Sequence, residues 1–117
     1  MRIKDLMTYI REAAPNVFPD WLLLNWLNEV EGRVQLDIWL RAPEEVVTYK
    51  LPEDEQTQLL LTAADAGIYR SYLKAMVLQS TGEYSKYQNE MERFNAAWNE
   101  YACRYLERQA KQGSENR

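Results

Sequence analysis

The sequence predicts a mainly α protein, a small bundle of about four helices with a short two-stranded β arm between helices two and three. Three observations carry that expectation. Within residues 82–107, Tyr84, Tyr87, Met91, Phe94, Trp98, Tyr101 and Tyr105 follow one another at alternating spacings of three and four residues, the pattern of a helix packed along one seam. Two earlier stretches repeat apolar residues at helical spacing, one at Leu23, Leu27, Val30, Val34 and Ile38, the other at Ile68, Tyr69, Tyr72, Leu73, Met76 and Val77. Between those stretches the composition changes to β-branched and leucine runs around an acidic turn.

The first helix is short. Ile3, Leu6, Met7 and Ile10 lie at i, i+3, i+4 and i+7, and Pro15 ends the pattern at about Ala14 because the residue before proline is driven out of the helical region. Asp20, or a residue just before it, can cap the second helix. On that helix Leu24 and Trp26 widen the apolar stripe, and Glu29 with Arg33 and Asp37 with Arg41 are spaced as i, i+4 pairs on the solvent side. Gly32 in mid-helix suggests a close helix crossing, and Pro43 bounds the element.

Val46, Val47, Thr48 and Tyr49, then Leu59, Leu60 and Leu61, read as two short extended segments on either side of the turn at 52–56. A lone pair of strands is marginal, so the arm at about 44–62 must lie on the helices or pair with a neighbour's arm. Asp65 can cap the third helix, and the short connection through Ser80, Thr81 and Gly82 forces an antiparallel hairpin with the fourth. Ser80 and Glu83 have the spacing of a capping box. Residues 1–108 are expected as one domain, and the polar stretch 109–117 as a disordered tail.

Composition excludes more chemistry than it admits. The chain has no histidine, so it has no imidazole base, no histidine metal ligand and no Ser-His or Cys-His nucleophile. Cys103 is the only cysteine and has no activating partner. The glycines at 32, 67, 82 and 113 are scattered and form no phosphate loop. Glu53, Asp54 and Glu55 lack the alternating ligands and central glycine of a calcium loop, while Glu29 and Glu31 point about 200° apart at ~100° per residue. No enzyme activity, cofactor or metal is expected.

The net charge of −4 resides in the arm. Glu44, Glu45, Glu53, Asp54 and Glu55 against Lys50 give five minus one, four negatives, the whole imbalance. Such a chain is a poor candidate for gripping phosphates, since nonspecific nucleic-acid affinity comes mainly from Lys and Arg. The longest apolar run, residues 21–24, is far below the ~18 residues of a membrane span. Arg2, Lys4 and Asp5 interrupt what would be the apolar part of a signal peptide, so a cytoplasmic protein is expected. The tyrosine-rich seam suits a surface apolar in the middle and wet at its edge, which fits a core helix and a partner interface alike.

Two stretches resemble a known family. Asn16, Phe18 and Asp20, then Trp26, Leu27, Asn28, Glu29, Glu31, Gly32 and Arg33, are similar to the start of the head-tail connector proteins, the head-completion adaptors of tailed phages and prophages of Gram-positive bacteria. Tyr69, Tyr72, Leu73, Gly82, Glu83, Tyr84, Tyr87, Asn89, Phe94, Asn95, Ala97, Trp98, Tyr101 and Tyr105 resemble that family's last helical hairpin. The resemblance implies a subunit of a homo-oligomeric ring that docks beneath the portal protein, continues the DNA channel without specific binding to DNA, and offers a platform to the next connector or tail protein. It implies residence in the virion neck, and in the bacterial host cytoplasm during assembly. Trp26, Tyr84, Tyr87, Phe94, Trp98 and Tyr101 are then core or interface anchors. Glu44, Glu45, Tyr49, Glu53, Asp54 and Glu55 are candidate contacts to the portal or a neighbour. The residues alone leave open a second role, a small helical protein-binding or regulatory module encoded by a prophage.

Overall fold

The computed structural model describes residues 1–115. Four α-helices follow in order: α1 (Ile3–Ala13), α2 (Asp20–Arg33), α3 (Gly67–Ser80) and α4 (Tyr84–Glu115), with a π-helical turn at Val34–Ile38 continuing α2. α3 is the central helix and touches the other three. Its Ile68, Tyr69, Leu73 and Val77 meet Ile3, Leu6, Met7 and Ile10 of α1 and Leu23, Leu27 and Val30 of α2 in one continuous core, so the helical periodicity of the sequence is the core itself.

Local chemistry sets the helix ends. The N–H groups of Ile3 and Lys4, which no intrahelical carbonyl can reach, donate to the carbonyls of Thr57 and Glu55 at 3.1 and 2.9 Å, and Asp5 accepts from the Arg2 N–H at 3.2 Å. α1 stops at Ala13 as Pro15 requires. The π-turn closes with the Trp39 N–H on the Val34 carbonyl at 3.0 Å, and Leu40 at φ 57° turns the chain away.

Between α3 and α4 the close is a Schellman motif. The Glu83 N–H meets the Leu78 carbonyl at 2.9 Å, the Gly82 N–H meets that of Gln79 at 3.2 Å, and Gly82 takes φ 81°, a conformation that favours glycine. The expected Ser80–Glu83 capping box is replaced by this arrangement. Nor does Asp65 cap α3, whose N-cap residue is Ala66; its carboxylate instead pairs with Arg104 of α4.

The two-stranded β arm is not formed. Among the described residues the one β-type contact is an isolated antiparallel bridge between Arg2 and Gln58, with the Leu59 N–H on the Met1 carbonyl at 3.0 Å. The first half of the arm bonds elsewhere, to side chains of α2. The Asn28 amide accepts from the Tyr49 N–H at 3.0 Å and donates to the Tyr49 carbonyl at 3.2 Å. Gln35 does the same for Val47, at 2.8 and 3.1 Å. Each carboxamide presents a donor and an acceptor side by side, as a peptide group does, so α2 stands in for the missing strand.

Other expectations shift with the arm. Beside Gly32 lies Val46 of the arm, 3.9 Å from where a Cβ would sit, so no helix crosses closely there. Arg33 pairs with Asp37 at 3.8 Å, Glu29 accepts the Tyr72 hydroxyl at 2.9 Å, and Arg41 donates to Gln35 at 2.9 Å. The stretch expected as a tail from 109 continues α4 to Glu115, since Glu107 to Gln112 are sound helix formers with no proline among them; residues 116–117 lie outside the described part. No helix among the described residues is long and apolar enough to cross a membrane.

Candidate interaction surface

α4 is the outermost helix. At ~1.5 Å per residue its 32 residues span about 48 Å, nearly the full 53 Å length of the molecule. Its one buried side chain among the described residues is Glu90, and every ring on its seam keeps an exposed part. Tyr84 is 64% exposed, while Tyr87, Phe94, Trp98, Tyr101 and Tyr105 are half-buried.

The covered halves meet the domain in two clusters. Phe94 lies 5.3 Å from Tyr72 of α3 and 5.6 Å from Trp98, ring centre to ring centre. Further along, the Trp39 indole donates to the Tyr101 hydroxyl at 2.8 Å, with Tyr105 beside both rings. Burial raises the Tyr72 hydroxyl to about 12, helped by its bond to Glu29, and burial also raises that of Tyr101. Between α2 and α4 a groove of about 470 Å³ has Val30, Phe94 and Trp98 on its walls and Glu29, Arg33 and Asp37 at its edge. Trp26 stands apart from this face. It is half-buried and edge-on to Phe18 at 5.9 Å, where it pins the α1–α2 connector.

The acidic arm residues divide. Glu44 and Glu45 are exposed on a 3₁₀ turn at Pro43–Glu45, and Glu53 and Glu55 are exposed on the turn after Pro52. Asp54 is half-buried and accepts the Lys50 N–H at 2.7 Å, closing that turn. Tyr49 does not belong with them. Its ring is 5% exposed and its hydroxyl is committed to Glu31, so it faces the body and cannot meet a neighbour.

Glu31 is the residue that the sequence concealed. It is fully buried, yet it carries three donors: the Tyr49 hydroxyl on Oε1, and the Tyr69 hydroxyl at 2.5 Å with the Leu60 N–H at 3.1 Å on Oε2. Tyr69 in turn accepts the Leu61 N–H at 2.9 Å. One carboxylate therefore ties α2, α3 and both halves of the arm. Burial, followed by the hydrogen bond and charge of Glu31, pushes both tyrosine hydroxyls far above their ordinary range. A carboxylate sealed from solvent cannot meet a substrate, so its chemistry is structural. The available signal was a stripe of Asn28, Glu31 and Gln35 along the edge of the apolar face, with no cation four residues from Glu31.

No group of three or more His, Cys, Asp or Glu side chains placed to hold a metal ion occurs among the described residues. Neither a protein-family model, nor a curated protein, nor a solved structure matches the chain.

Proposed function

We propose that the chain is a virion structural protein, a head-tail connector subunit that assembles into a homo-oligomeric ring beneath the portal. There it continues the DNA channel and gives the next connector or tail protein its platform. The observation that carries the reading is the half-covered aromatic face of α4. Six rings on the outermost helix each leave an edge open, and rings of this kind are enriched where protein meets protein. The resemblance of residues 16–33 and of the α3–α4 hairpin to connector proteins supplies the class of partner.

Charge supports the same role. A net charge of −4 lets a duplex slide where a basic lining would hold it. Trp98, Tyr84 and Tyr87 are the anchors toward a neighbouring subunit, Phe94 and Tyr101 fix α4 to its own domain, and Glu44, Glu45, Glu53 and Glu55 remain contacts toward the portal or a neighbour. The protein works by assembly, in the virion neck and earlier in the host cytoplasm, without cofactor or membrane.

Co-expression with the portal protein encoded by the same genome tests this. The expected result is a complex of portal ring and chain in fixed ratio, seen by electron microscopy as added density on the tail side. A chain that stays monomeric and unbound beside assembled portal overturns the reading in favour of a binding module.

A further inference from the structure

α1 has an acidic turn, flanked by Arg2, Lys4 and Lys50, at one end and a cleft lined by three cations at the other. At its N-terminal end sits the acidic turn, fixed by the Lys4 N–H on the Glu55 carbonyl at 2.9 Å, the Asp54 N–H on the Lys50 carbonyl at 2.8 Å and the Thr57 N–H on the Asp54 carbonyl at 2.9 Å. These bonds hold Glu53 and Glu55 outward on a preformed loop. At the C-terminal end Ala13 and Ala14 form one wall of a cleft of about 310 Å³, with Lys74 and Val77 of α3 and Lys86 and Arg93 of α4 on the others.

The cleft also contains two carboxylates, and both are already engaged. Glu83 pairs with Lys86 at 3.0 Å, and Glu90 with both Lys74 and Arg93 at 3.1 Å. Three cations against two carboxylates leave one positive charge in excess. The layering adds to it: Glu90 lies beneath at 10% side-chain exposure, whereas Arg93 and Lys86 stand at 69% and 70%. What the cleft presents to a visitor is guanidinium and ammonium over the apolar floor of Val77 and Leu78.

We propose that the acidic turn of one copy, through Glu53 and Glu55, seats in this cationic cleft of the next copy. The inference deepens the connector reading and rests on it for self-association; what it adds is the pair of surfaces that meet. Because the two surfaces differ and lie at the two ends of one helix, the contact is heterologous, the kind that propagates from copy to copy and closes into a ring when the rotation allows. The turn is ordered before contact, so little conformational freedom is lost on docking. The charges steer approach and set register more than they set affinity.

A zero-length carbodiimide cross-linker tests this on the full chain, since it joins a carboxylate only to an amine it touches. Ten residues of helix, about 15 Å at ~1.5 Å each, separate Lys4 beside the turn from Ala14 in the cleft, so a link from Glu53 or Glu55 to Lys74 or Lys86 cannot form within one copy. An equal mixture of ¹⁴N and ¹⁵N protein is treated at high concentration, and again on the portal complex. The expected result is mixed-isotope peptides joining 53–55 to Lys74 or Lys86. The yield of the Lys74 link falls at least fivefold in Lys86→Glu/Arg93→Gln, which retains the Lys74 amine and whose circular dichroism and denaturation midpoint match the parent. Adding Glu53→Lys/Glu55→Lys to that variant restores self-association in sedimentation. Links mapping elsewhere, or association indifferent to the exchange, overturn this contact while leaving the connector reading intact. A chain that neither self-associates nor binds portal removes both.

Discussion

Tyr69 of α3 donates its hydroxyl to Glu31 of α2 at 2.5 Å, and neither side chain touches solvent. Around this bond the protein settles the problem of its arm. An extended segment with no partner strand needs its backbone groups satisfied, and here a helix does it with the side chains of Asn28, Glu31 and Gln35.

Removing donors from Glu31 should therefore be costly, and unequally so. Tyr49→Phe takes away one hydrogen bond to a buried carboxylate, for an expected loss of ~1.5 to 3 kcal/mol. Tyr69→Phe removes the same kind of bond and also strands the Leu61 N–H, so it should lose about 1 kcal/mol more. Urea denaturation of the two variants checks the order. Equal losses would show that Leu61 finds another partner.

High pH should unlock the same cluster. The hydroxyls of Tyr49 and Tyr69 are raised in the folded protein, so above the unfolded value of about 10 the unfolded chain releases protons that the folded one retains. Stability is then fully present below that pH and declines as pH rises beyond it. Denaturant midpoints from pH 8 to 11.5 should fall steeply above about 10, and less steeply in the Tyr49→Phe/Tyr69→Phe double variant.

Loosening the arm should be separable from unfolding the bundle. Asn28→Ala and Gln35→Ala remove the carboxamides that pair with Tyr49 and Val47 but leave the apolar core of α1, α2 and α3 intact. Amide hydrogen exchange at residues 47–49 should accelerate at least tenfold, with the amides of α3 little changed. Uniform acceleration across the chain would mean that arm and bundle open together.

The helices were legible because their apolar residues recur at 3.6-residue spacing and nearly all of those on α1, α2 and α3 are covered. The arm was not. Val46, Val47 and Thr48 have strand-forming side chains, but strand formation depends on where the backbone bonds go, and the partners were polar residues of α2 that resemble a solvent face. Glu31 was hidden for the same reason, since a carboxylate held by tyrosines 18 and 38 positions away leaves no local pattern. On α4 the rings were recognisable, whereas their half-exposed state follows from α3 lying centrally and α4 outside.

Tyr84 and Trp98 should separate assembly from folding. Tyr84 is largely open, so Tyr84→Ser should change stability by less than about 0.5 kcal/mol and still weaken assembly. Trp98→Asp places a charge beside Phe94 at the α2–α4 groove. The half-exposed site lets the carboxylate reach water, so a folded but unassembled subunit is expected. A folded variant that assembles fully would remove Trp98 from both core and interface.

Hydroxyl-radical footprinting of the α4 rings, in the free chain and in its complex with portal, tests whether assembly covers them. Tyr84, Tyr87 and Trp98 should react readily in the free chain and be protected severalfold in the assembly. Rings that react equally in both states, in a complex shown to have formed, would contradict an interface on α4.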